Sequence, residues 1–348
     1  MVERFNLTDD YSISRVINGC WQLSVGHSIK SQLDKEDIMK AFTMLVERGF
    51  TTFDCADIYT GAEEFLGEFS ERLKKITSIN DKRIQIHTKY VPDKDKLGNI
   101  KFEDTKTIIT RSLTRLKKDT LDLVQFHWWD YEVDGMLDTF AHLERLKEEG
   151  YIRNLALTNF DTEHIAMIKA ANFKIVSCQT QYSLLDRRPE KGFIDYCQAQ
   201  GISQLCYGTL AGGLISERYI GVDDVDPDNR SQVKYKQIIE EGIGWDNYQN
   251  VLVILKTIAD KHKVDLPQVA VRYILDRKGV GATIIGTRSS RHVLANEKIF
   301  SFKLDDDDIS KIELFLAKTK ILAGDCYELE RSDPKFKSII KTNLNKEK

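Results

Sequence analysis

The stretches LDLVQF at 121–126, MLDTFAHLERLKE at 136–148 and IRNLALT at 152–158 decide the architecture. The outer two are short apolar runs bounded by polar residues, as strands are. The middle one carries its apolar residues at helical period. Two strands joined by a helix of this length pair in parallel through a right-handed crossover.

Outward from this unit the alternation continues in both directions. The apolar runs are Val16–Trp21, Thr51–Phe53, Ile84–Lys89, Leu121–Phe126, Ile152–Thr158, Ile175–Gln179, Gln204–Tyr207 and Ala282–Ile285, eight in all. Between them, Asp34–Arg48 places Ile38, Ala41, Phe42 and Leu45 on one face, and Glu103–Lys117 gathers Ile108, Ile109, Leu113 and Leu116. Thr162–Ala171, Pro189–Ala199 and Leu266–Asp276 follow the same pattern, with Asp34, Thr162 and Ser289 as N-cap residues. Arg4–Leu7 and Ser12–Val16 around Asp9 and Asp10 predict a β-hairpin before the first unit. Eight strand–helix units predict an α/β fold, a closed (β/α)8 TIM barrel, as one domain over residues 1–348 with a tail from about 331. An open doubly wound sheet would carry Gly-x-Gly-x-x-Gly after its first strand. Here that strand runs into Asn18, Gly19, Cys20, Trp21 and Gln22. Residues 208–265 exceed a plain crossover. With Gly212, Gly213, Gly221 and Gly242 and a helical stretch over 245–262, they predict a lid or binding loop.

Composition narrows the function. The net charge of −3 gives no basic field for nucleic acid, and no eighteen-residue apolar run predicts a membrane span. Met1 to Asp10 lacks the apolar core of a signal peptide. The six cysteines, at 20, 55, 178, 197, 206 and 326, form no Cys-x-x-Cys pair and read as buried reduced thiols, which points to a cytoplasmic protein. The acidic run Asp305–Asp308 and the five lysines of 335–348 read as solvated surface or tail, and the Lys-rich tail after residue 330 either folds over the pocket or stays disordered. The seven histidines are dispersed, and only His127 ends a strand, so no metal site is expected.

Barrels of this kind place chemistry at the C-terminal ends of their strands. Asp54 and Tyr59 follow the second strand, Lys89 ends the third and His127 ends the fourth. A phenol with a pKa near ~10 is a poor acid at neutral pH, and a neighbouring ammonium lowers that value. Lys89 supplies the ammonium, and Asp54 the carboxylate that a buried lysine needs. His127 is placed to orient a carbonyl oxygen beside Tyr59 or relay a proton. Together they polarise a carbonyl that receives a hydride.

These residues resemble the aldo-keto reductase superfamily. Phe53-Asp54-x-Ala56-x-x-Tyr59 with Glu63-Glu64-x-Leu66-Gly67 is similar to its second-strand signature. Thr88-Lys89 and Leu121-Asp122-Leu123-x-x-x-His127 are similar to the next two. Leu157-Thr158-Asn159-Phe160, Gln179-x-x-Tyr182-Ser183-Leu184, Ile285-Gly286-Thr287 and Asn296 extend the likeness over about residues 14–316. The resemblance implies NAD(P)H-dependent reduction of an aldehyde or ketone, with Tyr59 as general acid, Lys89 and Asp54 tuning it and His127 orienting the substrate. It implies that Thr158, Asn159 and Gln179 meet the nicotinamide carboxamide and that Tyr207 stacks on the ring. Gly208, Thr209, Leu210 and Arg218 would follow the pyrophosphate, with Gly19, Cys20, Trp21 and Gly212 also along the cofactor. Gly286, Thr287, Arg288, His292 and Asn296 would hold the adenosine end.

Four positions depart from the family pattern. Gly208-Thr209 replaces a common Ser-Pro, His292 replaces an Arg or Gln, and Ala295 replaces a Glu. Arg288 is suited to a 2′-phosphate, which favours NADPH, with NADH possible. Trp21 and Trp128 are expected to wall the substrate pocket, with contributions from Trp129 and Tyr131. Asp57 and Asp130 leave a sugar or polyol substrate open. The same site serves an NAD(P)+-dependent sugar (lactol) dehydrogenase running in reverse, and the family includes cofactor-binding subunits of ion channels.

Overall fold

Eight parallel strands close on themselves, and the hydrogen bonding at the seam fixes the register. The structure, a computed structural model, describes residues 1–24, 34–76, 84–287 and 289–345. The hairpin strands are β1 (Arg4–Thr8) and β2 (Tyr11–Ser14). The barrel strands are β3 (Val16–Gly19), β4 (Thr52–Asp54), β5 (Gln85–Tyr90), β6 (Leu123–Phe126), β7 (Leu155–Thr158), β8 (Ser177–Gln181), β9 (Ser203–Tyr207) and β10 (Val280–Ile285). They follow in chain order around the barrel. β10 returns to β3 through Thr283↔Val16, Ile284↔Ile17 and Ile285↔Asn18. All eight expected strands are present, with boundaries moved by a few residues.

The helices between them are α1 (Lys35–Glu47), α2 (Ala62–Lys74), α3 (Phe102–Leu116), α4 (Met136–Glu148), α5 (Thr162–Ala170) and α6 (Phe193–Ala199). The expected N-caps divide. Asp34 accepts from the amides of Glu36 and Asp37, as a cap should. Asp161, not Thr162, caps α5, accepting from the His164 amide. Ser289 occupies the cap position of its helix, with its hydroxyl 3.4 Å from His292 Nδ1 and no side-chain cap bond to a backbone amide.

The hairpin plugs the end of the barrel where the strands start. Its Tyr11 and Ile13 are buried with the inward-facing Ile17, Leu123, Ala156, Leu205, Ala282 and Ile284. Ser14 and Thr52 exchange bonds at the start of β4, at 2.9 and 3.1 Å. The opposite end stays open to a cavity.

The long segment after β9 holds α7 (Arg230–Glu241) and α8 (Trp245–His262), followed by α9 (Leu266–Leu275). α8 matches the helical stretch read from sequence. α7 buries Ser231, Gln232 and Lys234 beside Tyr235, Ile238 and Ile239, so it has no clean apolar stripe to read. After β10 come α10 (Ser290–Glu297), α11 (Asp306–Leu316), α12 (Glu328–Ser332) and α13 (Pro334–Lys337). All six cysteines are buried and free. Among the described residues no helix is long and apolar enough to cross a membrane.

One close approach sets the spacing of the outer layer. A Cβ on Gly67 of α2 would lie 2.1 Å from the Arg115 carbonyl oxygen of α3. That neighbour is backbone and cannot swing aside. Gly67→Ala is therefore expected to lower stability by about 1–3 kcal/mol, read as an earlier urea midpoint at unchanged slope. An unchanged midpoint would show that the two helices separate freely.

Candidate active site

The four side chains expected to carry the chemistry arise from the ends of β4, β5 and β6 and meet at the open end of the barrel. Lys89 Nζ donates to Asp54 Oδ2 at 2.6 Å and to the Cys55 carbonyl oxygen at 2.7 Å. Both side chains of this ion pair are 5% exposed, so water screens it little. Asp54 Oδ1 accepts from Gln125 Nε2 and Gln179 Nε2, each at 2.7 Å. The carboxylate is thus saturated on one oxygen by amides and on the other by the ammonium.

Tyr59 lies on the loop after β4, where its amide donates to the Ala56 carbonyl and its own carbonyl accepts from Ala62. Lys89 Nζ is 5.0 Å from its ring centroid. The expectation that Lys89 draws the phenol below its ordinary value is not met. Burial pushes Tyr59 up to about 12, and the Lys89 charge opposes that only in part. The phenol therefore stays protonated at neutral pH as a hydrogen-bond donor. Lys89 itself is held above its ordinary value, since Asp54 and Tyr59 outweigh its burial.

His127 is clamped. Trp129 stands perpendicular to its ring at 4.3 Å and Tyr327 at 5.7 Å. Its Nδ1 is 3.1 Å from the Thr158 carbonyl oxygen. Burial, with the Arg331 guanidinium, pushes it down to about 3 against the pull of that carbonyl, so the ring is neutral.

A cavity of about 1020 Å³ opens over these groups. Asp54, Tyr59, Lys89, His127 and Trp21 line it with Gly19. Thr158, Asn159, Gln179 and Tyr207 continue the lining, as do Gly208, Thr209, Leu210, Gly212 and Arg218. Gly286, His292 and Asn296 form the far end. Arg288 lies outside the described residues. The expected lid is realised in part, because residues of the loop after β9 and of α7 line the cavity.

Cys20, Thr287 and Trp128 are corrections. Cys20 is fully buried behind the lining, its thiol toward the Asn18 carbonyl oxygen at 3.8 Å. Thr287 is also fully buried, its hydroxyl accepting from Asn296 Nδ2 at 3.0 Å. Trp128 is fully buried too; its indole donates to the Val133 carbonyl at 3.2 Å and its ring packs on Phe126. Its neighbour Trp129 points into the cavity instead, its indole N–H on the Pro92 carbonyl at 2.8 Å. Neither acidic residue proposed for sugar hydroxyls lines the cavity. Asp57 is buried and pushed up to about 8, chiefly by burial and then by Glu63; it accepts from the Val91 amide and Asn345. Asp130 pairs with Lys94 at 2.8 Å.

The C-terminal segment roofs the site, which the sequence alone does not reveal. Tyr327, Ile339, Ile340, Lys341 and Leu344 line the cavity. Glu330 ties the roof down through Arg188 and Lys234, each at 3.0 Å. Arg331 Nη2 donates to the carbonyls of Trp128 and Asn159, at 3.0 and 2.7 Å. At its far end Asn345 Nδ2 donates to the Val91 carbonyl at 2.7 Å, and the Lys94 amide donates to Thr342 at 3.0 Å.

The lining has the right groups for a nicotinamide carboxamide. Asn159 Oδ1 already accepts from the Tyr207 hydroxyl at 2.7 Å, which leaves its amide N–H groups to donate. Gln179 Nε2 already serves Asp54 and, at 2.9 Å, Gln125, which leaves its carbonyl oxygen to accept. A donor beside an acceptor is what a primary amide requires.

The sequence profile of the Aldo/keto reductase family matches residues 15–317. The aldo-keto reductase YhdN of Bacillus subtilis is 26% identical, over 88% of this chain and 91% of the relative. The NADH-specific methylglyoxal reductase of Escherichia coli is 23% identical, over 86% and 94%. Among solved structures, the glycerol dehydrogenase AKR11B4 from Gluconobacter oxydans superposes with a TM-score of 0.76 at 23% identity, over 92% and 97%. The chain belongs to the aldo/keto reductase family, as an NAD(P)H-dependent carbonyl oxidoreductase.

The roof carries its own pH signature. Burial opposes the charge on Glu330, but Lys234 and Arg188 outweigh it and hold the carboxyl down at about 2, against 4.5 ordinarily. A carboxylate depressed on folding stabilises the native state above its unfolded value, and that stability fades as pH falls through the folded one. Glu330→Gln should cost about 3–5 kcal/mol at pH 7. The gap to the parent protein should close as pH falls from about 4.5 toward about 2. Equal stability at pH 7 would show that the roof is not held by this pair.

Proposed function

We propose that this member of the aldo/keto reductase family reduces small aldehydes and ketones with NADPH, with Tyr59 as the proton donor. One observation carries the reading: a lysine held charged by a saturated carboxylate, 5.0 Å from the ring of a phenol that faces the same cavity as His127. A bound reduced nicotinamide supplies the hydride when present.

The protein's own groups do the rest. The protonated Tyr59 hydroxyl donates to the carbonyl oxygen and polarises it. As the alkoxide forms, that proton passes to it, and the Lys89 charge stabilises the phenolate left behind. Asp54 keeps Lys89 in place and charged. Asn159 and Gln179 orient the carboxamide through the free halves of their amides, and Tyr207, tied to Asn159, supplies the ring face. Trp21, Trp129, Ile340 and Leu344 exclude water from the substrate end. This apolar wall, together with the positions of Asp57 and Asp130 away from the cavity, supports a small carbonyl substrate over a polyol.

The preference for NADPH rests on Arg288, read from sequence, whose guanidinium suits a 2′-phosphate. The Escherichia coli relative is, by its name, NADH-specific, so family membership alone does not set the preference.

Two variants test the reading. Tyr59→Phe should lower kcat by about a hundredfold or more while NADPH binding, followed by fluorescence titration, stays within about twofold; retained turnover would remove Tyr59 from the reaction. Arg288→Ala should weaken NADPH by about tenfold and leave NADH nearly unchanged; equal weakening of both would remove the 2′-phosphate contact.

A further inference from the structure

Arg331 reaches down from the roof and spends its hydrogen bonds on the backbone of two loops that carry the site. Its Nη2 donates to the carbonyl oxygen of Trp128, the residue after His127, at 3.0 Å. The same nitrogen donates to the carbonyl oxygen of Asn159, the residue after Thr158, at 2.7 Å. These are its only hydrogen bonds among the described residues, and its Nε and Nη1 are buried without partners. Aromatic faces hold the guanidinium: its carbon is 4.1 Å from the ring centroid of Tyr131 and 5.3 Å from that of Tyr327. The neighbouring Glu330 gives the roof an anchor of its own on Arg188 and Lys234. The inward reach of Arg331 therefore calls for a second role.

Asn159 is where that reach bears on the cofactor. Its φ is 61°, a left-handed conformation that asparagine tolerates better than most residues. The turn sends its polar groups in different directions. Its amide donates to the Gln179 carbonyl oxygen at 2.9 Å. Its side-chain Oδ1 accepts from the Tyr207 hydroxyl at 2.7 Å, which leaves the side-chain N–H groups for the cavity. Its carbonyl turns to the roof, where Arg331 is the donor it meets. Without that donor the strained turn would lose its outer brace, and the direction of the side-chain amide would no longer be fixed. A lysine would not serve, because its ammonium on a flexible stem lacks the flat face that the two tyrosines grip.

We propose that Arg331 is a positioning residue for the nicotinamide: by bracing the Asn159 carbonyl from the roof, it aims the Asn159 side-chain amide at the carboxamide. The inference rests on the carbonyl-reductase reading and adds to it a residue that lies beyond the span matched by the family profile. Arg331 touches neither cofactor nor substrate. It acts through Asn159, so its loss should be felt at the nicotinamide end of the cofactor and not at the adenosine end, which Gly286, His292 and Asn296 line.

Ligand binding to the full chain decides it without turnover. Calorimetric Kd values are compared for NADPH and for 2′-phospho-ADP-ribose, which keeps the adenosine and pyrophosphate but lacks the nicotinamide. Arg331→Met should weaken NADPH by about fivefold or more and leave the fragment within about twofold, so that the fragment also reports a folded variant. Arg331→Lys should behave as Arg331→Met does. Equal weakening of both ligands, or of neither, would overturn the assignment. A second comparison isolates the route. Asn159→Gly permits the left-handed turn and removes the side-chain amide. Adding Arg331→Met to it should weaken NADPH by less than about twofold further, because the group that Arg331 aims is gone. A further loss as large as in the parent background would show that Arg331 acts by another path, and would equally overturn the proposal. A parent protein that binds neither ligand would overturn the reductase reading, and the proposal with it.

Discussion

A single buried ion pair, Lys89 on Asp54, organises the reactive end of this barrel. A lysine that is 5% exposed cannot keep its charge without a carboxylate, and the carboxylate cannot stay there without donors on its other oxygen. Gln125 and Gln179 provide them. Side chains from β4, β5, β6 and β8 are thus committed to holding one positive charge beside Tyr59. Removing either partner would leave an uncompensated charge in the barrel mouth, so the network is an all-or-none arrangement of the strand ends.

The consequence is a site whose other groups stay neutral in the working range. Tyr59 remains a phenol because burial outweighs the help of Lys89. His127 remains an imidazole because burial and Arg331 outweigh the pull of the Thr158 carbonyl. The lysine therefore acts on the phenolate as it forms, more than on the resting phenol. The C-terminal roof lies outside the span matched by the family profile, yet it supplies Tyr327 against His127 and closes the cavity through Glu330, Arg331 and Asn345. Part of the substrate end of this site is thus built by residues beyond that span.

The barrel and the reactive residues were legible because Asp54, Lys89 and His127 sit at the ends of apolar runs, where length and polarity change together, and Tyr59 follows in the loop after the second of them. Side-chain direction beyond a strand end was not legible. Trp128 and Trp129 differ by one residue, yet Trp128 packs on Phe126 and bonds the Val133 carbonyl while Trp129 bonds the Pro92 carbonyl and lines the cavity. Asp57 is three residues from Asp54, but it is spent on the Val91 amide and Asn345. α7 escaped reading because the face it buries contains Ser231, Gln232 and Lys234, polar residues that border the cavity. The roof escaped because its anchors are single side chains bonded to distant backbone groups, a pattern with no period in sequence.

The central claim is that a cation at the Lys89 position, and not merely a residue of that size, supports proton donation by Tyr59. Chemical rescue addresses it most directly: turnover of Lys89→Ala measured with and without methylammonium. The account predicts turnover lower by about a hundredfold or more and a saturable partial recovery as methylammonium enters the space on Asp54. Turnover at the parental rate without added amine would contradict it.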